Sequence, residues 1–322
     1  MLAAVQPTSA AEAVLVAVVV LFAWNLGAHY TGATMGMPYA SGSLSLWPSL
    51  AVVGVCSLLG ATFASGRVQK TVGLHLVSDQ RVHATTAIVI VASGALLTML
   101  FNWLRLPTST IQILVFCVIG AAVAAGIHVH WPTLEKLVAT WVAAPPLAAA
   151  LGFAFTRVLD PVRMRRLARV LPALLLAVGI AASFAMGAND VANATSGLVL
   201  VHLFSLRTTG AIGGAAMLVG ALTWGRRILD RVAFDVVKLD LGMASAAQGV
   251  QALVILLAVS QGLFTSMNQA LIGAMAGAGL ARGRETVQRA QLAAILRAWL
   301  VGPAAGFALA YVGEHVARAV GA

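Results

Sequence analysis

The run "GANDVANATSG" at 187–197 sets Asn189, Asp190, Asn193 and Thr195 between "LLLAVGIAASFAM" and "LVLVHLF". A carboxylate flanked by two amides offers oxygens to a small cation and N–H donors to an anion. Asp190 is the one acid of ten that lies far from the basic loops and tails. An ionisable residue placed so deep in apolar sequence marks a functional site, or it caps a re-entrant helix, and the two readings are compatible. Two further stretches carry hydroxyls and amides: "PTSTIQ" at 107–112 and "TSMNQ" at 265–269. Hydroxyls and free N–H groups at the start of a short helix suit a tetrahedral oxyanion without adding charge. This marks Thr108, Ser109, Thr110 and Gln112, and with them Thr265, Ser266, Asn268 and Gln269, as candidate ligands.

The elements that must hold these groups are membrane helices. Of 322 residues, 60% are hydrophobic and 9% charged, with a mean hydropathy of +0.94. A soluble core has no use for that much apolar sequence. Runs such as "AAEAVLVAVVVLFAWNLGA" and "ALVILLAVSQGLF" approach or reach the ~20 residues that cross a bilayer. The first lacks a basic leader and is followed by further spans, so it reads as a true span rather than a signal peptide. The net charge of +10 sits mostly between apolar runs, in "GRVQK", "RVLDPVRMRRLAR", "GRRILDR" and "ARGRETVQR". Such clusters set topology and meet anionic lipid headgroups rather than nucleic acid. Cys56 and Cys117 lie in apolar runs without metal-ligand spacing and read as packing residues.

The chain repeats itself. "LRLPTSTIQILVFCVIGAAVAAG" (104–126) recurs as "QGLFTSMNQALIGAMAGAGLARG" (261–283), at a nearly constant offset of 157; "LVATWVAAPP" (137–146) recurs as "ILRAWLVGPA" (295–304), and "GATFASGR" (60–67) as "GALTWGRR" (220–227). This divides the chain into a first repeat (1–156), a basic joining loop (157–169) and a second repeat (170–322). Duplication of this kind is the pattern of a two-repeat secondary transporter. At about five spans per half the repeats would be inverted, with the joining loop in the cytoplasm. The expectation is an all-α polytopic fold whose helices break at bilayer depth. Glycine, asparagine and threonine are poor helix formers, so one break is expected near 187–197.

"GANDVANA" resembles the signature of the inorganic phosphate transporter family, where it normally occurs once per repeat. "TSMNQALIGAMAGAGLARG" followed by "AWLVGP" resembles that family's second element, a serine-threonine hairpin before a Trp-Pro helix. The resemblance spans nearly the whole chain in order. It implies that the signature segments meet near the membrane centre and hold the oxyanion and a coupling cation. That casts Gly187, Ala188, Asn189 and Asn193 as substrate contacts and Asp190, with Asn189, as the coupling-ion site; Asp190 and Asn193 would hold sodium if the coupling ion is sodium.

The first half departs from the signature. Where a second copy is expected it reads "WNLGAHYTGATMGMPYASGS" (24–43), with Asn25, Gly27, Ala28 and His29 as its candidate contacts. Laid without gaps, His29 falls opposite Asp190 and Gly32 opposite Asn193; matching Gly27-Ala28 to Gly187-Ala188 instead puts His29 opposite Asn189. Either way the carboxylate is lost and an imidazole gained, a pattern similar to the sulfate-permease branch of the family. Sulfate near neutral pH has no proton to donate to a carboxylate, so a site with one acid fewer favours it, and a protonated His29 favours it further, which sets His29 beside Asp190 and Asn189 as a coupling-ion candidate. The expected function is therefore import of an inorganic tetrahedral oxyanion, sulfate preferred, by proton symport. The alternatives are a sodium- or proton-coupled phosphate transporter and, further off, a passive anion channel.

Arg297, in "AAILRAWLVGP", either snorkels to the headgroups or is a cation that pairs with Asp190 or attracts the anion. No catalytic residues, resident cofactor or metal are expected, and "YASGS" has no base paired with its serine, so an intramembrane enzyme is disfavoured. The expected partners are sulfate or phosphate and the lipid bilayer, with room for a homodimer. The setting is a multi-pass protein of a prokaryote-like plasma membrane.

Overall fold

A computed structural model describes residues 10–77, 82–104, 108–159, 169–235, 240–283 and 289–320. The described residues are almost wholly helical. In the first half α1 (Ala10–His29) and α2 (Thr31–Ala40) form one interrupted rod, followed by α3 (Leu46–Phe63), the short α4 (Gly66–Leu74), α5 (Ala84–Trp103), α6 (Thr110–Ala125) and α7 (Trp131–Val158). The second half contains α8 (Leu171–Leu200), α9 (Leu206–Asp235), α10 (Leu241–Ser260), α11 (Met267–Arg282) and α12 (Arg289–Ala319). Six stretches among the described residues are long and apolar enough to cross a membrane, the α1–α2 rod, α3, α5, α7, α8 and α10, while α6 is apolar but shorter. Apolar on all sides, these helices need an apolar surrounding rather than a single buried face. The chain is an integral, multi-pass membrane protein.

The duplication is visible in the helix bounds. The ends of α5 and α6 recur in α10 and α11 displaced by 157 residues, giving helices of 20 and 16 residues in each half. Packing is reciprocal. α7 of the first half lies on α11 of the second, and α12 of the second lies on α6 of the first; α1 lies on α9 as α8 lies on α3. Contacts of this mutual kind are what a two-fold rotation produces. The halves interleave and do not form separate domains. Residues 160–168 of the basic joining loop lie outside the described residues.

Close glycine contacts fix the register between the halves. A Cβ on Gly27 would fall 2.0 Å from the Met217 carbonyl oxygen, and one on Gly187 would fall 1.9 Å from that of Ser57. Likewise Gly60 meets the Phe184 carbonyl and Gly220 that of Trp24. Each pair maps onto its mate by a shift of 160 residues. The equivalence is therefore Gly27 with Gly187, His29 with Asn189 and Tyr30 with Asp190. The ungapped match of His29 to Asp190 does not hold.

The two hairpins open toward opposite ends of α7. Near its start, His130 donates its backbone N–H to Leu76 (2.9 Å), and Val77 bridges Val129. The start of α5 and the end of α6 are held together close by: Thr86 donates to Glu314 at 3.0 Å, and Arg318 reaches both Glu314 (3.0 Å) and the Ala125 carbonyl (2.9 Å). At the far end Arg282 reaches the Leu159 carbonyl (3.5 Å) and pairs with Asp240 (3.3 Å), joining the start of α10 to the end of α11.

Candidate functional site

The middle of α8 meets the starts of α6 and α11. Both short helices begin with a serine cap: Ser109 accepts from the Gln112 N–H (3.4 Å) and Ser266 from the Gln269 N–H (3.3 Å). The equivalent glutamines touch each other, Gln112 Nε2 donating to Gln269 Oε1 at 3.4 Å. A residue that meets its own repeat mate lies beside the two-fold axis, so both helix starts converge there. Two N-terminal dipole ends with the free N–H groups of a helix start then face one small volume, an arrangement that attracts an anion without needing a basic side chain.

Asp190 stands in the same volume, fully buried. Its carboxylate accepts from Asn189 Nδ2 (3.2 Å) and Asn193 Nδ2 (3.4 Å), and the Tyr30 hydroxyl lies beside it. Asn189 clasps the loop before α11, donating to the Thr265 carbonyl (2.8 Å) and accepting its N–H (3.3 Å). Asn193 donates to Thr110 Oγ1 (3.1 Å), which also meets the Tyr30 hydroxyl at 2.6 Å. Several buried oxygens here have no protein partner among the described residues: Thr108 Oγ1, Thr265 Oγ1, Gln112 Oε1 and Asn193 Oδ1. Unused hydroxyls and carbonyls suit a site that binds both an oxyanion and a cation.

His29 sits at the rim, partly exposed. Its Nδ1 faces Asn102 Oδ1, and Asn102 donates its amide to Asn25 Oδ1 at 2.9 Å. Asn268 Nδ2 donates to the Thr108 carbonyl (3.0 Å) and faces His29 Nε2 (3.3 Å). With Asn102 donating its amide to Asn25, its oxygen is set to accept from an Nδ1–H of His29, and Nε2 to accept from Asn268.

A family model described as the phosphate transporter family matches residues 26–177 and again 163–310, one match per half. The chain belongs to the phosphate transporter family. Sulfate permease CysP of Bacillus subtilis (strain 168) is 27% identical over 297 residues, covering 90% of this chain and 84% of that protein. A "probable low-affinity inorganic phosphate transporter" of Mycobacterium tuberculosis (strain ATCC 25618 / H37Rv) is also 27% identical, over 317 residues, 92% of this chain and 76% of that one. A solved structure titled "The sodium-dependent phosphate transporter" shares the fold at a TM-score of 0.87 and 18% identity, covering 97% of this chain and 100% of that one. As a member of this family the protein is a membrane transporter and not an enzyme.

Within that fold most residues singled out from the sequence gather at one place: His29, Thr108, Ser109, Thr110, Gln112, Asn189, Asp190, Asn193, Thr265, Ser266, Asn268 and Gln269. Asn25 joins through Asn102. Gly27 and Gly187 contribute differently, since their smallness brings α1 against α9 and α8 against α3, and Ala188 is buried beside Gly187. The expected break at 187–197 is absent, for α8 is continuous from Leu171 to Leu200. Tertiary contacts override the weak propensity: the small residues let neighbouring backbones approach, and the amides bond outward to the hairpins. The interruption falls instead at Tyr30, and the non-helical backbone at the site belongs to the loops before α6 and α11. Arg297 is exposed and Asp190 fully buried, so the two do not pair.

Two contributors escaped the sequence reading. Tyr30 is one of three tyrosines in the chain and stands next to the histidine that drew attention. Asn102, in "LLTMLFNW", is a lone amide closing an apolar run.

Proposed function

We propose that the protein imports an inorganic tetrahedral oxyanion, sulfate in preference to phosphate, coupled to protons. The observation that carries this reading is the pairing of Tyr30 with Asp190 across the two-fold. Where the repeat mate of the carboxylate would stand, the chain supplies a phenol that donates a hydrogen bond and bears no charge. A fully deprotonated, doubly charged anion meets one carboxylate here instead of two, while hydroxyls and two helix starts furnish donors. The similarity to a protein named as a sulfate permease supports the same choice.

Proton coupling has a route. A proton on His29 Nε2 would place N–H against the Asn268 amide, which must then turn over and release the Thr108 carbonyl. Proton binding would thus be felt at the oxyanion loop, with the Asp190 carboxylate as a second place for the coupling proton. Repeats inverted about the membrane plane would supply alternating access, and the opposite openings of the two hairpins favour inversion. Pairing of two copies through the bilayer is a further proposal.

A second reading, sodium-coupled phosphate transport, rests on the Asp190 carboxylate and on Asn193, whose Nδ2 bonds that carboxylate and whose Oδ1 has no partner among the described residues, oxygens of the kind a small cation takes. Equilibrium binding of radiolabelled sulfate to purified protein separates the two. Sulfate displaced by unlabelled sulfate far better than by phosphate, without need of sodium, supports the first. Phosphate displacing better, and only with sodium present, supports the second.

A further inference from the structure

One face of α10 is polar although it is buried. Ser245, Gln248 and Gln251 recur every third residue, so they stack along one side of the helix over about 9 Å, and all are at most 4% exposed. Gln251 Nε2 donates to the carbonyl of Met267 (3.3 Å), the first residue of α11, beside the Ser266 cap. One turn outward, Gln248 Nε2 donates to the Thr34 carbonyl of α2. Ser245 lies a further turn toward the Asp240–Arg282 end. Ser245 Oγ, Gln248 Oε1 and Gln251 Oε1 all lack a partner among the described residues.

Three unsatisfied polar oxygens in a row are costly in a bundle that stays shut, and they become useful if water or solute reaches them when it opens. The repeat mates sharpen the point. The equivalents in α5 are Ile88, Val91 and Gly94, which carry no polar side chain, and there Val91 and Leu15 close over Gly197 of α8. The fold therefore tolerates an apolar face at this position, and of these two mated faces only that of α10 carries amides.

We propose that Ser245, Gln248 and Gln251 line the passage between the central site and the end of the molecule bearing Arg157, Arg226, Arg227 and Arg282, with the Gln248–Thr34 bond as its closure. The inference rests on the oxyanion reading above. Side-chain amides present N–H donors without a fixed charge, so they pass a hydrated oxyanion along without trapping it, and the arginines outside concentrate anions. By the excess of arginine, that end faces the cytoplasm.

Cysteine labelling tests this in the full chain with Cys56 and Cys117 replaced by alanine. Gln248→Cys and Gln251→Cys are exposed to a membrane-impermeant thiol reagent in right-side-out and inverted vesicles, with Arg157→Cys as the marker of sidedness and Val91→Cys as the repeat-mate control. The passage predicts that both cysteines react from the marker's face, that millimolar sulfate or phosphate slows the reaction, and that Val91→Cys stays inert from that face. In parallel, Gln248→Leu should insert normally yet slow uptake about tenfold, the loss expected for one hydrogen bond to the passing ion, with Gln248→Asn restoring part of it. Cysteines that react only from the opposite face, or react from neither while Gln248→Leu transports normally, overturn the passage. Native protein that takes up neither anion overturns the oxyanion reading instead, and sidedness measured without anion keeps the two failures apart.

Discussion

Gly187→Ala adds one methyl group at a place its neighbours define. The new Cβ would lie 1.9 Å from the Ser57 carbonyl oxygen and 2.6 Å from its carbon. Ordinary contact begins near ~3.5 Å, so α8 must withdraw from α3 by roughly 1.5 Å or rotate. The obstacle is backbone, which no rotamer change relieves, so the loss of stability belongs at the upper end of the ~1–3 kcal/mol typical of overpacking. The functional loss should be larger. Asn189 and Asp190 follow directly, and the clasp of Asn189 on Thr265 at 2.8 and 3.3 Å does not survive such a shift. A misplacement of about 1 Å at a binding centre costs on the order of 100-fold in rate. Gly27→Ala, the repeat mate, meets the Met217 carbonyl at 2.0 Å and should lose similar stability. Gly66→Ala, at the start of α4 with nothing within 4 Å, is the control. The assay is retention of the monodisperse detergent peak after a heating series, paired with oxyanion uptake by proteoliposomes. Gly187→Ala protein that melts and transports like Gly66→Ala would refute the reasoning.

Other outcomes follow from the same geometry. Asp190→Asn should insert and purify normally but transport at background, because on the proposed coupling the amide keeps the shape but cannot take up the coupling proton; normal uptake by this variant removes Asp190 from the coupling role. Tyr30→Asp restores a carboxylate opposite Asp190 and should weaken sulfate binding more than phosphate binding, whereas an unchanged ratio would mean that the phenol does not set selectivity. On the proposed coupling native uptake should fall as pH rises, since protonating His29 would free Asn268 from Thr108. His29→Ala should flatten that profile, and an unaltered profile would place the titrating group elsewhere.

Much of the fold was legible because membrane helices announce themselves by apolar length and because the duplication left matching words in both halves. The segments "PTSTIQ" and "TSMNQ" do open short helices, as their hydroxyl-rich starts implied. What stayed hidden was set by tertiary contact. Weak propensity suggested a break at 187–197, but close packing on Ser57 and outward bonds from the amides keep α8 continuous. Sequence left two registers for the first half, and only the reciprocal glycine contacts chose Tyr30 as the mate of Asp190. Asn102, Gln248 and Gln251 are single amides in apolar runs, and their meaning depends on which carbonyl each one reaches.

Uptake into proteoliposomes, with proton and sodium gradients imposed one at a time, addresses the central claim most directly. Radiolabelled sulfate should accumulate above its equilibrium level when the outside is acidic, should not respond to sodium, and should be displaced poorly by phosphate. Accumulation of phosphate driven by a sodium gradient, with excess sulfate unable to compete, would contradict the account.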